Sequence, residues 1–220
     1  MIAVASSELK HLRKQVAVLA RALLPRDLNK DILELPPRLS VRALSFRLLC
    51  HAEVEAYFEA RCRNIATAIR AGWNASQKVT YPTMCIVGFS GIEMRPPPAT
   101  VKKPGNRQVD WDDQIRVGGR IRRAVDAYLN YVNRKNNGVD EEDLLRLLVP
   151  IGFHISLLDE PFIVQINNFV KRRGEAAHGT VLGHVTQGVD PRDEYNRVSS
   201  LIADLAPIDA EFDRLTAVVT

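Results

Sequence analysis

Cysteine is scarce in this chain of 220 residues, and its three cysteines, Cys50, Cys62 and Cys85, show no C-x-x-C spacing. An odd number of widely spaced cysteines is typical neither of a disulfide framework nor of a structural zinc site. A chain of this length can bury most of its apolar surface without covalent cross-links. The sequence therefore predicts a fold without disulfides, suited to a reducing cytoplasm.

Long hydrophobic runs are missing as well. The longest uncharged stretches, residues 79–92 and 176–189, have 14 residues each and contain glycine, whereas a membrane-spanning helix needs roughly 18 or more apolar residues. Residues 1–5 contain no basic leader of the kind that opens a secretory signal. We expect a cytoplasmic protein with no membrane partner.

Signatures of nucleotide, metal and serine-hydrolase sites are also absent. Residues 117–120, Val-Gly-Gly-Arg, could present backbone N–H groups to an anion, but they match neither the P-loop nor the dinucleotide pattern. The five histidines form no H-E-x-x-H, although His178 and His184 are close enough in sequence to meet. Ser90 lacks the G-x-S-x-G context of a nucleophile elbow. The sequence predicts no cofactor and no functional metal.

Charge of one sign is not in large excess, because 30 Lys and Arg face 26 Asp and Glu, which gives a net charge of +4. That value fits ordinary solubility and an anionic partner equally well. Its distribution is less even: residues 114–135 contain six basic residues and a single acid, Asp126. A local excess of this kind is found on nucleic-acid-binding surfaces and on solvated helix faces.

Helical periodicity is the main structural signal. Apolar residues recur at spacings of three and four in six segments, which predicts helices near residues 6–24, 44–69, 121–132, 141–148, 160–173 and 191–219. The period is lost over residues 72–114, where we expect a short β-hairpin at 79–89 and a Pro-rich, basic loop at 96–107. The predicted fold is all-α, a single helical bundle over residues 1–220 with an irregular insertion at 72–114.

Polar groups interrupt two of the predicted apolar stripes. His51 and Glu55 stand one turn apart on the long second helix, and Arg173 follows Phe169 on the stripe of a later one. A buried charge costs several kcal/mol unless it is paired, so these three groups could share one cluster. An internal structural pair between His51 and Glu55 explains the same pattern.

The segment around Arg173 combines two groups that can act on phosphate esters. Arg173 is followed five residues later by His178 and then by Gly179. A guanidinium presents forked donors to phosphate oxygens, and an imidazole transfers protons near neutral pH. Together they could cleave an RNA phosphodiester without metal. The alternative is structural, with Arg173 at a helix C-terminus and His178 hydrogen-bonded in a turn.

Residues 173–179, Arg-Gly-Glu-Ala-Ala-His-Gly, resemble the R-x4-6-H signature of the HEPN superfamily (higher eukaryotes and prokaryotes nucleotide-binding domains), particularly its Arg-Asn-x-x-Ala-His-Gly form. This family is similarly all-α and carries its motif after an apolar helix in the C-terminal half. Residues 42–57 also resemble the long helix of the RiboL-PSP-type subgroup, in which an acidic residue faces the motif. The resemblance covers about residues 38–179, with the insertion excepted.

The resemblance implies a metal-independent endoribonuclease, typically the toxin or effector of a prokaryotic toxin–antitoxin or phage-defence system. It implies RNA as substrate, a cognate antitoxin as partner, and a homodimer whose two motifs form a composite active site. Arg173 and His178 are then catalytic, Glu55 is the facing acid, and His51 supports them. Four basic residues are expected to bind RNA phosphates: Lys171, Arg172, Arg120 and Arg123.

One position departs from the family pattern. The residue after the arginine is usually Asn, Asp or His, and here it is Gly174. Arg172 offers an alternative R-x5-H register, in which Arg173 would take the polar position. Loss of the polar side chain also leaves open a catalytically inactive module that binds RNA, nucleotide or a partner protein.

Overall fold

The computed structural model describes residues 5–28, 36–91, 116–178 and 189–220, with the side chains of 175–178 outside that description. Its α-helices, in chain order, are α1 Ser7–Leu23, α2 Pro37–Ser76, α3 Tyr81–Gly88, α4 Val117–Arg134, α5 Glu141–Leu148, α6 Glu160–His178 and α7 Pro191–Val219. Short 3-10 turns, Val149–Ile151 and Ile155–Leu157, follow α5. These ranges contain no strand, which confirms the all-α class. None of the described helices has the length and apolarity that crossing a membrane requires.

The β-hairpin predicted at residues 79–89 is wrong, because this segment forms α3. The Thr80 side chain accepts a hydrogen bond from the backbone N–H of Thr83, and Pro82 occupies the first turn, where a missing N–H costs nothing. These start signals outweigh the β-branched residues around them. The insertion is also less irregular than predicted at its beginning, since α2 continues to Ser76. The Pro-rich, basic loop at 96–107 lies outside the described residues.

The chain divides into two compact units. Unit 1 comprises Met1–Ala60, Asn137–Leu144 and Ser156–Ala210, and unit 2 the remaining ranges, Arg61–Asn136, Leu145–Ile155 and Glu211–Thr220. Helices α2, α5 and α7 therefore contribute residues to both. Nothing in this division tests the expectation of one domain over residues 1–220, which stays a prediction.

A buried carboxylate organises the start of unit 1. Ser6 caps α1 by accepting a hydrogen bond from the backbone N–H of Leu9 (3.0 Å). The backbone N–H and the hydroxyl of Ser6 donate to the two oxygens of Asp209, at 2.8 and 2.7 Å. The Tyr57 hydroxyl donates to the same carboxylate at 2.9 Å. Asp209 thus joins α1, α2 and α7, and its desolvation is compensated by three donors.

A second buried interaction joins α2, α6 and α7 in unit 1. Arg47 donates from Nε and Nη2 to the two carboxylate oxygens of Glu194, at 2.8 and 2.7 Å. The side chains are only 7% and 3% exposed. The third nitrogen of Arg47, Nη1, donates to the backbone carbonyl of Arg172 at 3.3 Å. The Arg47–Glu194 pair therefore fixes the part of α6 that directly precedes Arg173.

Packing in unit 2 accounts for one of the glycines in the Val-Gly-Gly-Arg segment. A Cβ on Gly118 would lie 2.7 Å from Nε1 of the Trp73 indole ring. Gly118 therefore allows the start of α4 to approach this ring closely. Packing accounts for the glycine without an anion-binding loop.

We expect Asp209→Ala to lower the free energy of unfolding by about 3 kcal/mol, because three donors would lose their acceptor in a buried position. Urea unfolding followed by circular dichroism measures the change. Asp204→Ala on the exposed side of α7 is the matched control and should change stability by less than about 0.5 kcal/mol. Equal effects of the two substitutions would contradict the role given to Asp209.

Candidate functional site

Helix α6 carries Arg173, the arginine of the motif, and begins where the sequence predicts a helix. The Asp159 side chain accepts a hydrogen bond from the backbone N–H of Phe162 at 3.0 Å and so caps the helix at its start. Phe162, Ile166 and Phe169 are buried on the inner stripe, and Arg173, next on that stripe, is half-buried. Since the helix continues to residue 178, Arg173 does not stand at its C-terminus. The helix-ending alternative for Arg173 is therefore wrong.

The imidazole of His51 packs directly against α6. It stacks on the Phe169 ring with centroids 5.4 Å apart and an interplanar angle of 18°. His51 is 1% exposed, and its Nε2 has no hydrogen-bond partner among the described residues. Its Nδ1 lies 3.7 Å from a carboxylate oxygen of Glu55, which is beyond hydrogen-bond distance. A buried polar atom without a partner is uncommon in proteins and calls for an explanation.

Arg173 interacts electrostatically with both His51 and Glu55 of α2. Burial, and secondly the positive charge of Arg173, lowers the pKa of His51 from its ordinary value of 6.5 to about 4. Burial also raises the pKa of Glu55, with Glu59 and Asp143 adding to the increase and Arg173 opposing it. At neutral pH the imidazole is therefore uncharged. The two groups that the charge of Arg173 influences are therefore a neutral ring and an acid, and neither is a second cation.

The acidic groups around Glu55 come partly from α5, which is tied to α6. The Asn167 side chain on α6 accepts a hydrogen bond from the backbone N–H of Glu141 at 3.0 Å, satisfying a donor in the first turn of α5. Asp143 lies in the same turn. A Cβ on Gly138 would lie 2.1 Å from a carboxylate oxygen of Asp143, so only glycine leaves room for it. Asp143 is the second of the two carboxylates, after Glu59, that raise the pKa of Glu55.

The structure thus brings together three of the predicted site residues, His51, Glu55 and Arg173, within unit 1. The side chain of His178 lies outside the described residues, so its position relative to them is not part of this geometry. The roles of all four in catalysis stay predictions.

The four predicted phosphate-binding residues are divided between the units. Lys171 is exposed and Arg172 half-buried on α6 of unit 1. Arg120 and Arg123 belong to α4 of unit 2. Phosphate binding by these residues stays a prediction.

Sequence reasoning missed the Arg47–Glu194 pair. Arg47 stands three residues after Leu44 and four before His51, so the helical period already placed a cation on the buried stripe of α2. Its partner is 147 residues away in the chain. No local pattern predicts a pairing over that separation.

Comparison of this chain with protein-family models, with curated proteins and with solved structures finds no match in any of the three.

The neutral, buried state of His51 predicts a pH dependence of stability. Between pH 6.5 and about 4 the unfolded chain binds a proton at His51 and the folded chain does not, so stability falls as the pH falls. From pH 7 to pH 5 this one group should cost about 2 kcal/mol. Urea unfolding at both pH values should show that loss in the wild type and less of it in His51→Gln.

His11→Gln removes an exposed histidine of unit 1 and is the matched control. It should retain the wild-type difference between pH 7 and pH 5. If His51→Gln retains that difference too, the buried imidazole is not the group that senses pH.

Proposed function

We propose that the chain is a metal-independent endoribonuclease in which Arg173 and His178 act on the phosphodiester and Glu55 supports them. The observation that carries this proposal is the placement of Arg173 beside Glu55 and a neutral His51. The resemblance to the HEPN signature supplies the reaction class. On the same resemblance we propose a toxin or phage-defence effector that acts as a homodimer and is controlled by an antitoxin.

The chemistry follows from the two motif side chains. Neutral His178 takes the proton of a ribose 2′-OH, whose oxygen attacks the adjacent phosphorus. The P–O5′ bond breaks, and the leaving 5′-oxygen receives a proton from the imidazolium. The products are a 2′,3′-cyclic phosphate and a 5′-hydroxyl, with no net uptake or release of protons. Arg173 stabilises the negative charge that develops on the non-bridging oxygens.

The environment of Arg173 supports this role for physical reasons. A guanidinium surrounded by carboxylates only would be neutralised by them, and one fully exposed to water would be weakened by solvent screening. Arg173 is half-buried, which limits the screening by solvent. The ring of His51 is neutral and adds no opposing charge. Preorganised charge of this kind stabilises a transition state without reorganisation during the reaction.

His51 acts in this proposal by positioning rather than by proton transfer. Because its pKa is about 4, the ring of His51 is neutral at neutral pH. It therefore lacks the second ring proton that a general acid would donate. His51 stacks on Phe169, and Phe169 lies one turn before Arg173 on the neighbouring helix, α6. The Nε2 atom of His51 has no hydrogen-bond partner among the described residues and is therefore open to a polar group of the substrate.

A catalytically inactive RNA-binding module is the second candidate. The observation in its favour is Gly174, which replaces the polar residue usual in the family. A Cβ at this position would meet no atom within 4 Å. Packing therefore does not require glycine at this position, and the polar side chain usual in the family is missing without a steric reason.

We expect purified wild type to cleave RNA in EDTA and to leave 2′,3′-cyclic phosphate ends. His178→Ala should lower the rate by roughly 100-fold or more, because the proton acceptor is lost. Arg173→Gln should do so to a similar extent through loss of charge stabilisation, and Arg173→Lys should retain part of the rate. The readout is gel analysis of RNA together with end-group chemistry, and induced expression should arrest host growth only with active variants.

The control is the folded state of each variant, measured by circular dichroism and urea unfolding. Intact RNA with wild type, or equal cleavage by wild type and His178→Ala, would refute the nuclease proposal. RNA binding that survives His178→Ala without any cleaved product would favour the inactive module.

Gly174→Asn tests the departure from the family pattern. The open space around the residue accommodates the side chain, so we expect the variant to fold and to cleave RNA severalfold faster than wild type. Gly174→Ala is the matched control, because it improves helix propensity by about 1 kcal/mol without adding a polar group. A rate increase with alanine as large as that with asparagine would show that helix stability is the cause.

A further inference from the structure

A cavity of about 420 Å³ lies in unit 1 between α2, α6 and α7. Its volume falls within the range of small-ligand pockets, roughly 300–1,000 Å³. Phe169, whose ring stacks on His51, forms part of its wall, and so does Arg172, the residue before Arg173. The cavity therefore adjoins the cluster of His51, Glu55 and Arg173.

The charge of the cavity wall favours an anion. Its arginines are Arg47, Arg172 and Arg197, and its acid among the lining residues is Glu194, so the formal balance is 3 − 1 = +2. Both oxygens of Glu194 already accept hydrogen bonds, from Arg47 and Arg197. The Glu194 carboxylate is thus paired within the protein, and Arg197 also lies 3.6 Å from the exposed carboxylate of Asp193. Because solvent screens this second pair, Arg197 can still bind a phosphate together with Arg172.

The rest of the wall offers hydrogen bonds of both kinds. Asn168 and Asn196 are exposed at the cavity and each presents an amide with two donors and an acceptor. The Gln165 amide lies 2.9 Å from the hydroxyl of Ser200 on the opposite helix. Amides next to an aromatic ring suit the edge and face of a nucleobase. A simple anion would use the arginines and leave this part of the cavity unoccupied.

We propose that this cavity is a subsite for one nucleotide of the RNA strand, adjacent to the bond that Arg173 and His178 cleave. Arg172 and Arg197 bind its phosphate, and Asn168 and Asn196 contact its base. That the ligand is RNA rests on the proposed nuclease function. Side chains of α6 and α7 in this cavity would then select the base next to the cleaved bond. The ion pair of Arg47 and Glu194 positions Arg172 and Arg197, together with the adjoining parts of α6 and α7.

The test is binding of a 2′-O-methyl RNA tetranucleotide, which lacks the attacking hydroxyl, to the full chain by calorimetry. The four nucleoside 5′-monophosphates, a nucleoside and inorganic phosphate are compared with it. Arg172→Gln removes a phosphate partner, and Asn168→Asp places a negative charge in the cavity without a change in size. Each should weaken oligonucleotide binding roughly tenfold or more. Lys14→Gln removes an equal charge from the exposed side of α1 and should change it less than twofold.

The outcomes separate the subsite from the nuclease. Oligonucleotide binding that depends on Arg172 and Asn168 supports the subsite even if wild type proves unable to cleave RNA, which would refute only the nuclease. Absence of oligonucleotide binding, or equal binding by wild type and both cavity variants, overturns the subsite even if cleavage occurs. Cavity-dependent binding of a monophosphate that the oligonucleotide fails to displace also overturns it, because the ligand is then a free nucleotide.

Discussion

The buried ion pair of Arg47 and Glu194 is the constraint on which the candidate site depends. Two buried charges are costly to desolvate, and this pair recovers the cost by two parallel hydrogen bonds and by a third from Arg47 to the backbone of Arg172. The pair fixes three helices at one point. Removing Glu194 would leave the buried charge of Arg47 without its carboxylate beside α6, whereas removing Arg47 would leave Glu194 paired with Arg197 alone. The position of Arg173 is therefore coupled to a pair that has no part in the chemical step.

A neutral histidine beside an arginine is the second constraint. Had His51 kept its ordinary pKa, slight acidification would place two positive charges together in a poorly hydrated space. Burial against Phe169 prevents this by making the protonated form unfavourable. The same burial leaves Nε2 without a partner in the described part of the chain. The buried, unpaired atom lowers the stability of the fold, and the neutral ring places no second positive charge against Arg173. Functional sites in proteins commonly reduce stability in this way.

Much of the fold follows from local patterns, and most of the candidate site does not. Helix caps at Ser6 and Asp159 and the apolar stripe of α6 are readable because each depends on residues within a few positions. The hairpin predicted at residues 79–89 is wrong because the loss of helical period there hides a short helix, which Thr80 and Pro82 begin. His51, Glu55 and Arg173 could be singled out as charges on apolar stripes. Glu194 could not, because its partner comes from a distant helix and only the folded chain brings them together.

The carboxylate of Asp209 has a consequence for the timing of folding. Its contacts with Ser6 join residues 203 positions apart, and closing so long a loop is entropically costly and slow. At synthesis rates of about 5–20 residues per second, α1 leaves the ribosome roughly 10–40 s before its partner is made. During that interval the start of α1 has no buried acceptor, and unit 1 cannot be complete. A nascent chain therefore carries Arg47 and His51 well before the helices that give them their partners.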